Sequence, residues 1–144
     1  EDQKLHATTQ DYADMLGWEE LAIAASKSYQ SIPVSERQHT TIFANNYGQA
    51  GALDHFRKKY DLPATVSLSS SYALWSPDTI QTRYLIYIND EYPEDLRPSY
   101  KKVVKISEIK NPYAREKGTC VYLLSDPVKD ISPIYKQHRL EQLN

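Results

Sequence analysis

At 144 residues the chain has the length of one domain and enough material to bury a hydrophobic core. Its 40% hydrophobic and 25% charged content is ordinary for a folded globular chain, and a net charge of -2 with an isoelectric point near 6.1 leaves no basic footprint for nucleic acid. No apolar run approaches the roughly 20 residues that a membrane-spanning helix needs.

The opening Glu1-Asp2-Gln3-Lys4 is polar and acidic, unlike a signal peptide, and no initiator Met precedes it. The chain therefore reads as a single soluble α/β domain, 1–144, excised from a longer protein. Lone Cys120 excludes an internal disulfide framework and, inside the apolar run Thr119–Leu124, reads as a buried small hydrophobe. With 12 Tyr against 2 Trp and 2 Phe, the aromatic content favours surfaces where a ring packs and its hydroxyl stays wet.

In chain order, Thr8 or Thr9 is placed to cap a first helix, with Asp11 near its positive end. Leu21, Ala24, Ala25, Ser28 and Tyr29 recur at helical spacing, and Gly17 marks a break or a restart near Trp18. Ile32-Pro33 ends the helix, and Ser35–Gln38 is a polar connection to a strand over Thr40–Ala44. Asn46 and Gln49 have the spacing of a capping box for a second helix running to about Tyr60, with Arg57, Lys58 and Lys59 suited to its C-terminus.

Leu62-Pro63 is a stop before a second strand, Thr65–Leu68, and Arg83–Ile88 is strongly β by composition. One helical turn at Pro93–Leu96 sits in an acidic connection. Strands over Tyr100–Ile109 and Thr119–Leu124 are separated by the turn signals Asn111-Pro112-Tyr113 and Glu116-Lys117-Gly118, and a polar helix covers Pro133–Leu143. The order α-β-α-β-β-β-β-α predicts a two- or three-layer Rossmann-like α/β fold with a mixed sheet of about five strands. The first two strands are expected parallel through a right-handed crossover, and the short-linked later ones partly antiparallel.

Loops that follow the ends of parallel strands are where such folds meet ligands. The candidate site residues are accordingly Asn45, Asn46, Tyr47, Gly48 and Gln49 after the first strand, and Ser70, Tyr72 and Trp75 after the second. Tyr47, Tyr72 and Trp75 suit a sugar face or a protein contact; equally they could join Trp18 in a small aromatic core. Gly48-x-x-Gly51 at a helix start is a weak anion motif, lacking the Lys-Ser/Thr of a phosphate loop. Its plainer reading is a tight turn at Gly48 and a close helix–sheet approach at Gly51.

Asp54-His55 beside Ser69–Ser71 invites a hydrolase reading, but neighbours on one helix point about 100° apart and no nucleophile elbow is present. The four histidines show no metal-pair spacing, and Asp90, Glu91, Glu94 and Asp95 fit no calcium loop. No cofactor is expected in this domain.

Gly17-Trp18-Glu19-Glu20-Leu21, Ile42–Asp54, Tyr60-x-Leu62-Pro63 and Tyr72–Pro77 occur in an order that resembles a known group. It is the C-terminal soluble domain of bacterial membrane glycosyltransferases related to dolichyl-phosphate-mannose protein mannosyltransferases (glycosyltransferase family 39). The resemblance covers about Gln10–Pro77 and is loose beyond. It implies an integral-membrane parent that takes a sugar from a polyprenyl-phosphate donor, with this domain on the extracytoplasmic (periplasmic) face of the cytoplasmic membrane. It further implies that the catalytic acids lie in the membrane-embedded half, which would be the domain's partner, so no catalytic residue is carried over here. A glycan or lipid-linked sugar is the implied ligand; the alternative is a glycan- or anion-binding module with no enzymatic parent. The chain departs from the family at Gln49 (usually Glu), Ser69-Ser70 (His-Asn), Ala73 (Trp) and Ser76 (Gly), losing an acid, an imidazole and a large ring.

Overall fold

The computed structural model describes residues 2–110 and 117–144, with side chains from Gly17 onward. The turn expected at Asn111–Tyr113 lies outside the described residues. Helix α1 spans Asp2–Ser31 without interruption. This differs from the expected start at Thr8 or Thr9 and from a break at Gly17. Gly17 is buried inside the helix, and Leu21, Ala22, Ala24 and Ala25 behind it are buried too. Tertiary packing of that face outweighs the roughly 1 kcal/mol that a helical Gly costs. The polar connection is a 3-10 segment, Val34–His39, braced by Arg37, which donates to the carbonyls of Gln30 and Ile32.

Strand β1, Thr40–Ala44, leads to helix α2, Tyr47–Phe56. The capping box forms as its spacing requires: Asn46 Oδ1 accepts from Gln49 N–H at 2.8 Å, and Gln49 Oε1 accepts from Asn46 N–H at 3.3 Å. The regular helix stops at Phe56, four residues short of the expected end. The chain continues as a turn closed by Leu62 N–H on the Arg57 carbonyl, with Asp61 in the left-handed region at φ 52°. Lys59 in this turn pairs with Glu19 on α1, so part of the basic triplet joins two helices rather than serving the helix terminus alone.

Strand β2 is only Thr65–Val66, shorter than expected. A one-turn helix α3, Tyr72–Trp75, follows where the sequence suggested only a loop. Strand β3 is Tyr84–Asn89, β4 Tyr100–Glu108 and β5 Cys120–Pro127; helix α4 is Ser132–Leu143. A turn at Pro93–Arg97 runs into a short 3-10 segment, Arg97–Ser99.

The sheet order is β2-β1-β3-β5-β4, with β1 parallel to both β2 and β3, and β5 antiparallel to both β3 and β4. The α/β class and the five-stranded mixed sheet are as the sequence indicates. Ile42, Ala44, Ile86, Ile88 and Val121 face α1 and α2 in the main core. Their alternates Phe43, Leu85, Tyr87, Tyr122 and Leu124 form a second cluster with Ile131 at the start of α4. Helices thus lie on both faces, in three layers. No described helix is long and apolar enough to cross a membrane.

Losing the capping box should be measurable. Asn46→Ala should lower the urea-unfolding free energy by about 1 kcal/mol with an unchanged m-value. A midpoint identical to that of the parent chain would show that the box contributes nothing.

Candidate functional site

The length of β2 determines where a site can form. Thr40 and Thr41 pair with Tyr84 and Leu85 of β3, but on the other side β2 reaches only Ile42 and Phe43. The first half of β1 therefore has no strand neighbour at the sheet's edge. A cleft of about 790 Å³ opens there. It is bounded by Thr40 and Thr41, Asp54 of α2, the β2 edge from Ala64 to Ser67, α3, and the segment from Ser76 to Gln81.

Asp54 ties these elements together. Its Oδ1 accepts from Thr65 N–H at 3.3 Å and its Oδ2 from the Tyr72 hydroxyl at 3.1 Å, joining α2, β2 and α3. Burial, then the Asp54 charge, pushes the Tyr72 phenol above its ordinary value. Ser70 enters α3 in the left-handed region at φ 52°, and the turn is closed by Tyr72 N–H on the Ser69 carbonyl and Ala73 N–H on that of Ser70. Ala73 is buried, whereas Leu74 and Trp75 are 70% and 82% exposed.

The far wall is held by side chains on other elements. Arg139 of α4 donates to Ser76 Oγ at 3.1 Å and to the Ser76 carbonyl at 3.3 Å, and pairs with Asp78. Tyr135 donates to the Pro77 carbonyl at 2.6 Å, Thr41 to that of Gln81 at 2.7 Å, and Tyr100 to that of Thr82 at 2.6 Å. The carbonyl acceptors belong to a connection that has no regular structure to satisfy them.

Of the sequence-derived candidates, Tyr72 and Trp75 line the cleft. Ser70 is exposed just before α3, and Asn45, Asn46, Tyr47, Gly48 and Gln49 lie outside the cleft lining. Gln49 is 2% exposed and, with Asn46, is occupied by the capping box, so its amide is a structural group. Asn45 N–H donates to the Ile88 carbonyl, continuing the sheet, and Tyr47 is 59% exposed. The anion reading of the helix start weakens accordingly, because the Asn46 side chain takes up the Gln49 amide that a ligand would need.

Gly51 does not mark a close approach to the sheet. A methyl group there would meet only the Tyr72 hydroxyl, at an ordinary 3.8 Å. The alternative aromatic core around Trp18 forms only in part: Trp18 and Tyr72 both pack on the main core, Trp18 meeting His55 of α2 edge-on at 6.3 Å, while Tyr47 and Trp75 are exposed. His55 in turn packs on Phe56, while the adjacent Asp54 faces β2 and α3. The acid and the imidazole are thus separated, and no serine–histidine–acid array is assembled from them. Among the described residues no three His, Cys, Asp or Glu side chains gather as a metal site.

Thr40, Thr41, Thr65 and Ser71 were missed by sequence reasoning. A polar pair at the head of an apolar strand is the one signal that could have pointed to Thr40 and Thr41. The fold and cleft define a five-stranded mixed α/β protein with an open, hydroxyl-rich cleft at one sheet edge. No protein-family profile, curated protein or solved structure matches the chain.

Three outcomes follow from this geometry. Gly51→Ala should raise stability by about 0.5–1 kcal/mol through helix propensity alone; a loss would mean that the helix needs the glycine after all. Arg139→Ala should cost about 1–2 kcal/mol and speed amide exchange across residues 76–82, whereas unchanged exchange there would remove α4 as the clamp. The phenols of Tyr72, Tyr87, Tyr100, Tyr122 and Tyr135 are all held above their ordinary value, chiefly by burial, Tyr122 up to about 12. Unfolded, they ionise near 10. Their contribution is intact below about pH 10 and is lost as pH rises through the folded values, so the urea midpoint should stay level to about pH 10 and fall by pH 12. A level midpoint through pH 12 would refute this.

Proposed function

We propose that this chain is a non-catalytic accessory domain of a membrane glycosyltransferase that uses a polyprenyl-phosphate sugar donor. In this reading it stands on the extracytoplasmic face of the cytoplasmic membrane and packs on the membrane-embedded half of its parent. The observation that carries the proposal is that the segments resembling that enzyme group interlock as one physical unit. Leu21 is in the main core, Trp18 meets His55, the Asn46–Gln49 box starts α2, and Asp54 bonds Tyr72. Side chains of those segments spent on mutual packing suit a domain whose role is to hold a shape beside a catalytic partner. The parent's acids belong to its membrane portion, so no catalytic residue and no cofactor are assigned here.

The second reading, a glycan-binding module with no enzymatic parent, is favoured by the cleft itself. Its hydroxyl groups and exposed indole suit a ligand whether or not an enzyme is attached. Two measurements separate the readings. Incubated alone with polyprenyl-phosphate sugars and acceptors, the purified chain should transfer no sugar, and detectable transfer would sink the accessory role. Hydropathy of the gene upstream of Glu1 should reveal many spanning segments with acidic residues in the first outward loop. A secretion signal alone would favour the second reading.

A further inference from the structure

We propose that the edge cleft binds a neutral saccharide ring, with Trp75 as its stacking face and Thr40, Ser71 and Asp54 as hydrogen-bonding groups. The inference rests on the cleft of the second reading above and deepens it by naming the class and charge of the ligand; it is independent of the accessory-domain reading.

Thr40 gives the first argument. It lines the cleft at the head of β1, is 9% exposed, and its Oγ1 is shielded with no hydrogen-bond partner. A buried hydroxyl left unpaired is costly, and most are paired in folded proteins. Ser28 Oγ on α1 is likewise unpaired, so the missing bond alone names no ligand; what sets Thr40 apart is its place in the cleft lining.

The second argument is the aromatic wall. Trp75 is 82% exposed yet lines the cleft beside Tyr72. The negatively polarised face of an indole attracts the weakly positive C–H groups on one face of a pyranose, and its area excludes water from them.

Charge and size narrow the ligand. The lining contains the carboxylate of Asp54 and no Lys, Arg or His, so nothing there offers a cation to a phosphate. Asp54 has one bond on each oxygen, which leaves lone pairs for sugar hydroxyls. The 790 Å³ volume falls among those of small-ligand sites, about 300–1,000 Å³, and accommodates one or two sugar rings. A sugar phosphate would have to leave its charged group outside.

The test is a calorimetric and tryptophan-fluorescence titration of the 144-residue chain. The probes are methyl pyranosides of mannose, glucose, galactose and arabinose, a disaccharide of each hexose, the matching sugar 1-phosphates, inorganic phosphate, and an extended β-forming peptide. At least one neutral sugar should bind saturably, its 1-phosphate no more tightly. Trp75→Ala should abolish binding, while Leu74→Ala, equally exposed but outside the lining, should leave it intact. Thr40→Val should weaken binding about tenfold, the loss of one good hydrogen bond, while the unfolding midpoint stays level or rises. Binding by no neutral sugar would overturn the proposal. So would tighter binding of phosphate, sugar phosphate or peptide than of any neutral sugar, or affinity that survives both Trp75→Ala and Thr40→Val. Because the assay uses no donor lipid and reads no transfer, its failure leaves the accessory-domain reading to be judged by its own experiments.

Discussion

The constraint on which the rest of the molecule depends is the shortness of β2. A two-residue edge strand pairs with the middle of β1 and leaves Thr40 and Thr41 without a neighbour on that side. Backbone and hydroxyl groups at such an edge need partners that a sheet cannot provide. Asp54 of α2 takes up the Thr65 amide and the Gln81 carbonyl takes up the Thr41 hydroxyl, and the space between β1, α3 and the segment held by α4 becomes the cleft.

Two sets of contacts do this with different physics. Asp54 acts locally, accepting from a strand amide and from a phenol so that α2, β2 and α3 move as one. The outer wall depends on distant elements, with Tyr100 at the head of β4 and Tyr135 and Arg139 on α4 donating to carbonyls more than fifty residues away in the case of α4. Burial keeps those phenols neutral and therefore able to donate. The wall is thus coupled to the second core cluster on the α4 face.

The segments that resemble a glycosyltransferase domain contribute mainly to the α1–α2 face and to the Asp54 junction. In the proposed accessory role, the main-core face keeps the shape and the edge stays open. The chain departs from the resembled pattern at Gln49 and Ala73 without loss of architecture. Gln49 caps the helix through an uncharged Oε1, and Ala73 is the buried side chain of α3.

Much of the fold was legible in the sequence because it rests on local rules. The Asn46/Gln49 spacing dictates a capped helix, β-branched and aromatic runs dictate β1, β3, β4 and β5, and Leu62-Pro63 dictates a stop. Of the site, Tyr72 and Trp75 were legible as aromatic residues near a strand end, whereas Thr40, Thr41, Thr65 and Ser71 were not. Hydroxyl residues carry no pattern of their own, and their role depends on an edge that exists only because β2 ends early. Strand length at an edge is decided by what competes for its backbone, here Asp54 at Thr65 and the turn at Ser67–Ser69. The sequence by itself determined the α/β class, the parallel start of the sheet and the cap of α2, since each follows from neighbours in the chain. Only the tertiary structure decided that the cleft lies beside β1 rather than on the loops after it, because its lining is drawn from Thr40 to Gln81 and its far wall is held by Arg139, ninety-nine positions from Thr40.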